Sequence, residues 1–176
     1  MREDGEESRM RTPDLGTLAR GIVAGLAGTA VMTAAQMVVQ KARSRSKPPA
    51  DEERNAAPRW ADAPAPAKVA RKIAHVFGVD PSRDRIPLLT NVMHWGYGIS
   101  LGTAYSIADR RPRSHPLLRG IGFGLGAWAA AYAELVPLGI YKPPWRYDVK
   151  TLATEGSYHV TYGVAVAGAA AALARR

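Results

Sequence analysis

The 176-residue chain has no cysteine, which excludes disulfides, thiolate nucleophiles and Cys-based metal sites. More informative is where charge is missing. Positions 21–40, 86–108 and 156–174 contain no Lys, Arg, Asp or Glu, and positions 120–141 contain one, Glu134. Each stretch is long enough to cross about 30 Å of hydrocarbon at about 1.5 Å per residue. A formal charge of +9 and a mean hydropathy of -0.17 would otherwise suggest a soluble nucleic-acid binder. Nucleic-acid binding needs a basic face on a folded domain, often with aromatic stacking. Here the basic residues flank apolar runs instead, where they would meet lipid headgroups, so no nucleic-acid partner is expected.

These features predict an all-α polytopic membrane protein with four transmembrane helices arranged as two tandem helical hairpins. Residues 1–16 read as a disordered tail, 17–108 as a first membrane hairpin with a long loop over 41–86, and 109–176 as a second hairpin. The acidic start, Arg2 to Glu7, and the twenty-residue apolar run after it do not fit a cleavable signal. The first span, Thr17 to about Gln40, carries Gly21, Gly25 and Gly28 at small-xxx-small spacing, which lets a neighbouring backbone approach closely. Lys41 to Lys47 forms a basic patch at its end, followed by a Pro/Ala-rich linker. Within that loop, Ala67–Phe77 puts Val69, Ile73, Val76 and Phe77 on one helical face, ended by Gly78. This suits an interfacial helix or, equally, a helix packed on its own bundle.

The second span starts near Pro87 and runs to Ala108, with Gly98 and Gly102 as packing positions. The third starts near Pro116 and carries Gly120, Gly122, Gly124 and Gly126, with Gly122 and Gly126 as packing positions. Pro137 predicts a kink just past Glu134, because proline removes a donor and frees the carbonyl of Ala133. Trp145, Arg146 and Tyr147 read as an interfacial anchor, and the fourth span begins at Thr151 or Leu152 and ends at Ala174, with Gly163 as its packing glycine. The third-span glycines lack the preceding strand and Lys-Ser/Thr pair of a phosphate loop, so helix packing explains them better.

The halves of the chain are similar. Arg20-Gly-Ile-Val-Ala-Gly-Leu26 matches Arg119-Gly-Ile-Gly-Phe-Gly-Leu125 at an offset of 99, and His94-Trp-Gly-Tyr-Gly98 matches His159-Val-Thr-Tyr-Gly163 at an offset of 65. We read this as an internal repeat whose two hairpins run in the same sense. Arg20, Arg110, Arg111, Arg113, Arg119, Arg175 and Arg176 then share one membrane face, opposed by the Lys41–Lys47 patch. The positive-inside rule leans toward cytoplasmic N and C termini.

Polar residues at membrane depth are costly, so their heights matter. His94 lies about 10 Å into its span, and the repeat puts His159 level with it. Glu134 lies about 21 Å along an oppositely running helix, which brings it to a similar depth. Gln36 lands there too. Tyr97, Tyr132 and Tyr162 are within a turn, and Glu155 is one turn from His159. Three readings of this layer follow. It ties helices together by hydrogen bonds, holds a titratable proton or cation site at Glu134, His94 and His159, or ligates a haem or metal between the two histidines. The first is favoured and the cofactor reading is the weakest, so no cofactor or metal is expected. No Ser/His/Asp order or paired-carboxylate motif stands out, so an enzyme is not expected. His75 and His115 read as solvated, Trp95 and Trp128 as packing or lipid-facing, and Trp60 has no assigned role.

Gly25-Leu-Ala-Gly-Thr-Ala-Val-Met-Thr33, His94-Trp-Gly-Tyr-Gly98, Lys142-Pro-Pro-Trp145 with Thr151-Leu152, and Glu155-x-x-x-His159-x-x-Tyr162-Gly163 together resemble the YagU-like family of small bacterial inner-membrane proteins. The resemblance covers most of residues 17–165. It implies a multi-pass inner-membrane protein and carries no catalytic role. Arg146 follows the tryptophan where the family pattern has an acidic residue. The expectation is a non-enzymatic helper or scaffold, with a small transporter or proton/cation conductor as the alternative. Expected partners are the lipid bilayer and a second copy of the chain at unused glycine faces.

Overall fold

A computed structural model describes residues 14–46, 59–109 and 115–175. The described residues form five α-helices and no strand: α1 (Leu15–Ser46), α2 (Ala65–Val76), α3 (Ile86–Ala108), α4 (Pro116–Leu135) and α5 (Val149–Leu173). Single 3-10 turns at Arg83–Arg85 and Pro144–Arg146 precede α3 and α5. By length and composition one helix, α1, is long and apolar enough to cross a membrane. α3 and α5 fall short because Gly, Thr, Ser, His and Tyr lower their hydropathy, and α4 because it carries Arg119 and Glu134 beside its glycines.

Helix starts follow local chemistry. Asp14 Oδ1 accepts the Thr17 amide at 2.6 Å, so the expected disordered tail is corrected at its end: residues 14–16 belong to the cap and first turn of α1. Proline occupies the first turn of α2, α3 and α4, where its missing N–H costs nothing. Asp148 caps α5, accepting from the Thr151 amide and hydroxyl at 2.8 and 2.7 Å. Those bonds hold its carboxyl below the usual carboxylate range.

The ends differ more from expectation. α1 continues six residues past Gln40, carrying Lys41, Arg43 and Arg45 on its last turns. Pro137 ends α4 rather than kinking it: the helix stops at Leu135 and the chain turns through Gly139 at φ 66°. A ring that lacks a donor and crowds the carbonyl four residues back stops a helix when no further turn is packed beyond it. Gly78, at φ 73°, closes α2 in a Schellman arrangement, with Gly78 N bonded to His75 O and Val79 N to Ala74 O, both at 3.0 Å.

Two seams are closed backbone to backbone. A Cβ on Gly25 would fall 2.7 Å from both Gly98 O and Ile99 Cα, so α1 lies directly on α3. A Cβ on Gly120 would fall 2.8 Å from Gly163 O and 2.6 Å from Val164 Cα, so α4 lies on α5 in the same way. The offset of 65 between the second helices of the hairpins thus describes both sequence and packing. For the first helices the packing pairs Gly25 with Gly120, an offset of 95, one helical turn from the 99 of the sequence match. α1 also packs along α5, where Gly28 faces Val166 and Tyr162. The core sits at this junction: Ala24, Met32, Tyr105, Tyr162, Val166, Ala167 and Ala170.

Gly122 and Gly126, expected as packing positions, meet no neighbour among the described residues. Both are exposed with open space where a Cβ would stand, and Gly120 and Gly124 make the α5 contact instead. Residues two apart on a helix point about 200° apart, so only one of two interleaved glycine faces can meet a given neighbour.

Candidate functional site

Each polar residue of the expected layer can now be located. His94, on α3, has Nε2 3.3 Å from Thr33 Oγ1 on α1. Tyr97, one turn's spacing along α3, donates its hydroxyl to Glu134 Oε2 on α4 at 3.1 Å. Tyr132 on α4 donates to Glu155 Oε2 on α5 at 2.7 Å. Tyr162 on α5 donates to the Gly98 carbonyl on α3 at 2.6 Å. These four bonds link all four long helices. Tyr162 reaches Gly98 O because glycine keeps that stretch of α3 free of side chain.

His159 bonds within its own helix. Its Nδ1 lies 2.8 Å from the Glu155 carbonyl, and a carbonyl partner requires the proton on Nδ1. His94 and His159 line the same small cavity of about 60 Å³, with Thr29, Met32 and Tyr162. The sequence reading of two histidines on one layer therefore has a structural counterpart. The cavity has room for water, which needs only about 10–15 Å³. Among the described residues no group of three or more His, Asp or Glu is arranged to hold a metal ion.

Gln36 is half-buried on α1 and makes no side-chain hydrogen bond to the layer. Glu134 departs from its expected setting: it lies at the exposed rim between α3 and α4, and Tyr97 is its only hydrogen-bonding partner among the described residues. This seam differs from the others. α3 and α4 meet through side-chain ends, Tyr97 with Glu134 and the Tyr105 and Phe123 rings with centroids 4.9 Å apart. A cleft of about 150 Å³ opens there, walled by Met93, Ala131, Leu135 and Leu138, with His94, Tyr97 and Glu134 along it. Val69 and Pro66 of α2 line its other edge.

α2 packs on its own bundle, one of the two arrangements its sequence suits. Its alanine face, Ala67 and Ala70, is buried, and Ala63 and Ala67 join Ile86, Trp60 and Leu89 in a small cluster beside α3. Ile73, Val76 and Phe77 turn outward, the last two 81% and 78% exposed, while Val69 lines the cleft. Trp60 gains a role here: the Arg71 guanidinium stacks 4.7 Å from its ring centroid. Arg71 and His75 also hold Asp80, at 2.9 and 2.7 Å, and lower its pKa to about 2.

At the end of α4 and start of α5, Tyr132, Tyr141 and Tyr147 form an aromatic cluster with centroid spacings of 5.3–6.5 Å. The Lys142 amide donates to Tyr147 Oη at 3.1 Å, while Trp145 is 80% exposed and Arg146 is exposed beside it. At the opposite end of the bundle, Arg119 pairs with Asp109. His115 is exposed and its Nδ1 accepts the Leu117 amide at 3.3 Å. Arg110, Arg111, Arg113, Arg176 and Lys47 lie outside the described residues, and most of the orientation argument lies there with them.

Thr33 is the residue that sequence reasoning missed. It sits one turn past Thr29 in the Gly-rich motif, and that spacing was the available signal. No protein-family model, curated protein or solved structure matches the chain.

Proposed function

We propose that this chain is a four-span integral membrane protein of the bacterial inner membrane, with a non-enzymatic scaffold or helper role. The polar layer in this reading is a lock between helices. The observation that carries it is the set of interhelical bonds from Thr33, Tyr97, Tyr132 and Tyr162, which spends the layer on joining helices. Such bonds average about 0.6 kcal/mol in membrane proteins and specify register more than they stabilise.

Three further features support the membrane reading. Large apolar side chains are exposed on α1 (Ile22, Val23, Leu26, Val31, Met37, Val38), α3 (Leu88, Val92) and α4 (Leu117, Leu118, Leu125), an arrangement that suits lipid contact. Only 28% of the most apolar window of α1 is buried, unlike the core helix of a soluble domain. Outward hydroxyls are returned to their own helices: Ser100 donates to Gly96 O and Thr161 to Ser157 O, both at 2.8 Å, which satisfies the hydroxyl without water. α3, α4 and α5 each reach at least about 30 Å. The YagU-like resemblance points the same way. In this arrangement the outward face of α2 and Trp145 rest at the headgroup level, both termini are cytoplasmic, and Gly122 and Gly126 leave a face for a second copy.

The test has two arms. The protein should stay in the membrane fraction through alkaline carbonate washing, and release as a monodisperse soluble species sinks the membrane reading. In proteoliposomes, His94→Ala and Glu134→Gln should lower thermal stability and leave proton and cation flux at the level of empty vesicles. Flux in the parent protein that either substitution abolishes makes the layer a conduction site. A reporter inserted within 110–113 should signal the cytoplasm; a periplasmic signal inverts the topology.

A further inference from the structure

We infer that the cleft between α3 and α4 is a binding site for a small lipophilic ammonium ion, with Glu134 as its counter-ion. The walls are apolar: Met93, Leu135 and Leu138, with Val69 contributed by α2. A dry apolar cavity of about 150 Å³ accepts a benzene-sized body, and this cleft has that volume. The polar lining is His94 and Tyr97 from α3 and Glu134 from the facing α4. The Glu134 carboxylate has no cationic partner among the described residues and takes one hydrogen bond, from Tyr97 to Oε2. A carboxylate has about four acceptor positions, so Oε1 is left for a donor arriving from the cleft. An ammonium N–H supplies both the charge and the hydrogen, and charge-assisted bonds are roughly twice as strong as neutral ones. The Tyr97 ring beside the carboxylate adds a π face for the same cation.

The neighbouring seams could not do this, because glycine contact fills them with backbone. Nor could the cavity shared by His94 and His159, at about 60 Å³, hold a hydrocarbon body of this size.

The probes are benzylamine, protonated at neutral pH, and benzyl alcohol, its neutral isostere. Binding to the full chain in lipid nanodiscs is followed by saturation-transfer NMR and titration calorimetry. The parent protein should bind benzylamine saturably and more tightly than benzyl alcohol. Glu134→Gln, which keeps shape and removes charge, should weaken benzylamine by about tenfold or more and leave benzyl alcohol within about twofold. Val69→Trp, on the peripheral helix α2, should fill the cleft and abolish binding of both. Absence of saturable benzylamine binding to the parent protein overturns the inference. So does an equal effect of Glu134→Gln on both probes, or retained binding in Val69→Trp, which decides the matter if the Glu134 variant fails to assemble. These readouts are ligand affinities, so they stand apart from the flux and extraction tests of the scaffold role.

Discussion

The α1–α3 and α4–α5 seams and the α3–α4 seam are built from opposite materials. In the first two, glycine lies against backbone, and a single Cβ would overlap the neighbouring chain. In the third, tyrosine, glutamate and phenylalanine reach across by their ends and leave a cleft. Close backbone contact maximises dispersion and leaves no volume to occupy. Contact through long side chains stabilises less and leaves space that chemistry can use. The molecule thus keeps its rigidity and its accessible polar groups in different places.

The sharpest way to break this contrast is to put a side chain into a glycine seam. Gly102→Val would drive a branched side chain into Gly25, and a loss of about 3 kcal/mol or more is expected in detergent-based unfolding. Gly122→Val, on the open face of the neighbouring α4, should change stability by no more than about 0.5 kcal/mol. A large loss there would mean that a second copy covers that face. Next in size is Tyr162→Phe, which removes the buried interhelical bond to the Gly98 carbonyl; about 1 kcal/mol is expected by the same measurement. Tyr97→Phe at the open seam should cost about 0.6 kcal/mol or less, because the Tyr97–Glu134 bond is exposed. If Tyr97 proves as costly as Tyr162, the two kinds of seam are not energetically distinct.

The smallest effect concerns α2 and acid. Asp80 has its pKa lowered from 3.8 to about 2, chiefly by Arg71 and then by His75. A depressed carboxylate stabilises the folded form above its unfolded pKa and ceases to as pH falls through its folded pKa. Amide exchange in α2 should therefore quicken between about pH 4 and pH 2, and Asp80→Asn should remove that step. The glycine seams should show no change over the same range.

Much of the helical layout was readable from where charge is missing. The starts at Pro87 and Pro116 fell within a residue of the observed helices, and α2 and its Gly78 stop were legible from periodicity and one glycine. Register was harder. Arg20 and Arg119 begin matching segments, yet the packing equates Gly25 with Gly120, because glycines every fourth residue look alike after a one-turn slip. The same degeneracy hid which glycine face of α4 is used. Spacing cannot distinguish Gly120 and Gly124 from Gly122 and Gly126; the neighbouring backbone decides. Depth counting placed His94 and His159 on one layer, but depth says nothing of azimuth, and so it missed that Glu134 stands at the rim. Thr33 escaped notice because a hydroxyl in an apolar run ordinarily bonds to its own helix, as Thr29 does to Gly25 O. For α2, apolar periodicity identified the larger side chains but not that small alanines would make the contact with α3.

The seam between α1 and α5 has a consequence for biosynthesis. These are the first and last of the described helices, and Ala24, Met32, Val166 and Ala170 share one core cluster between them. While a ribosome is still making the second hairpin, α1 can already hold α3, but its other flank stays uncovered until residues beyond about 160 emerge. A nascent chain stalled before that point would carry a vacant apolar flank on α1.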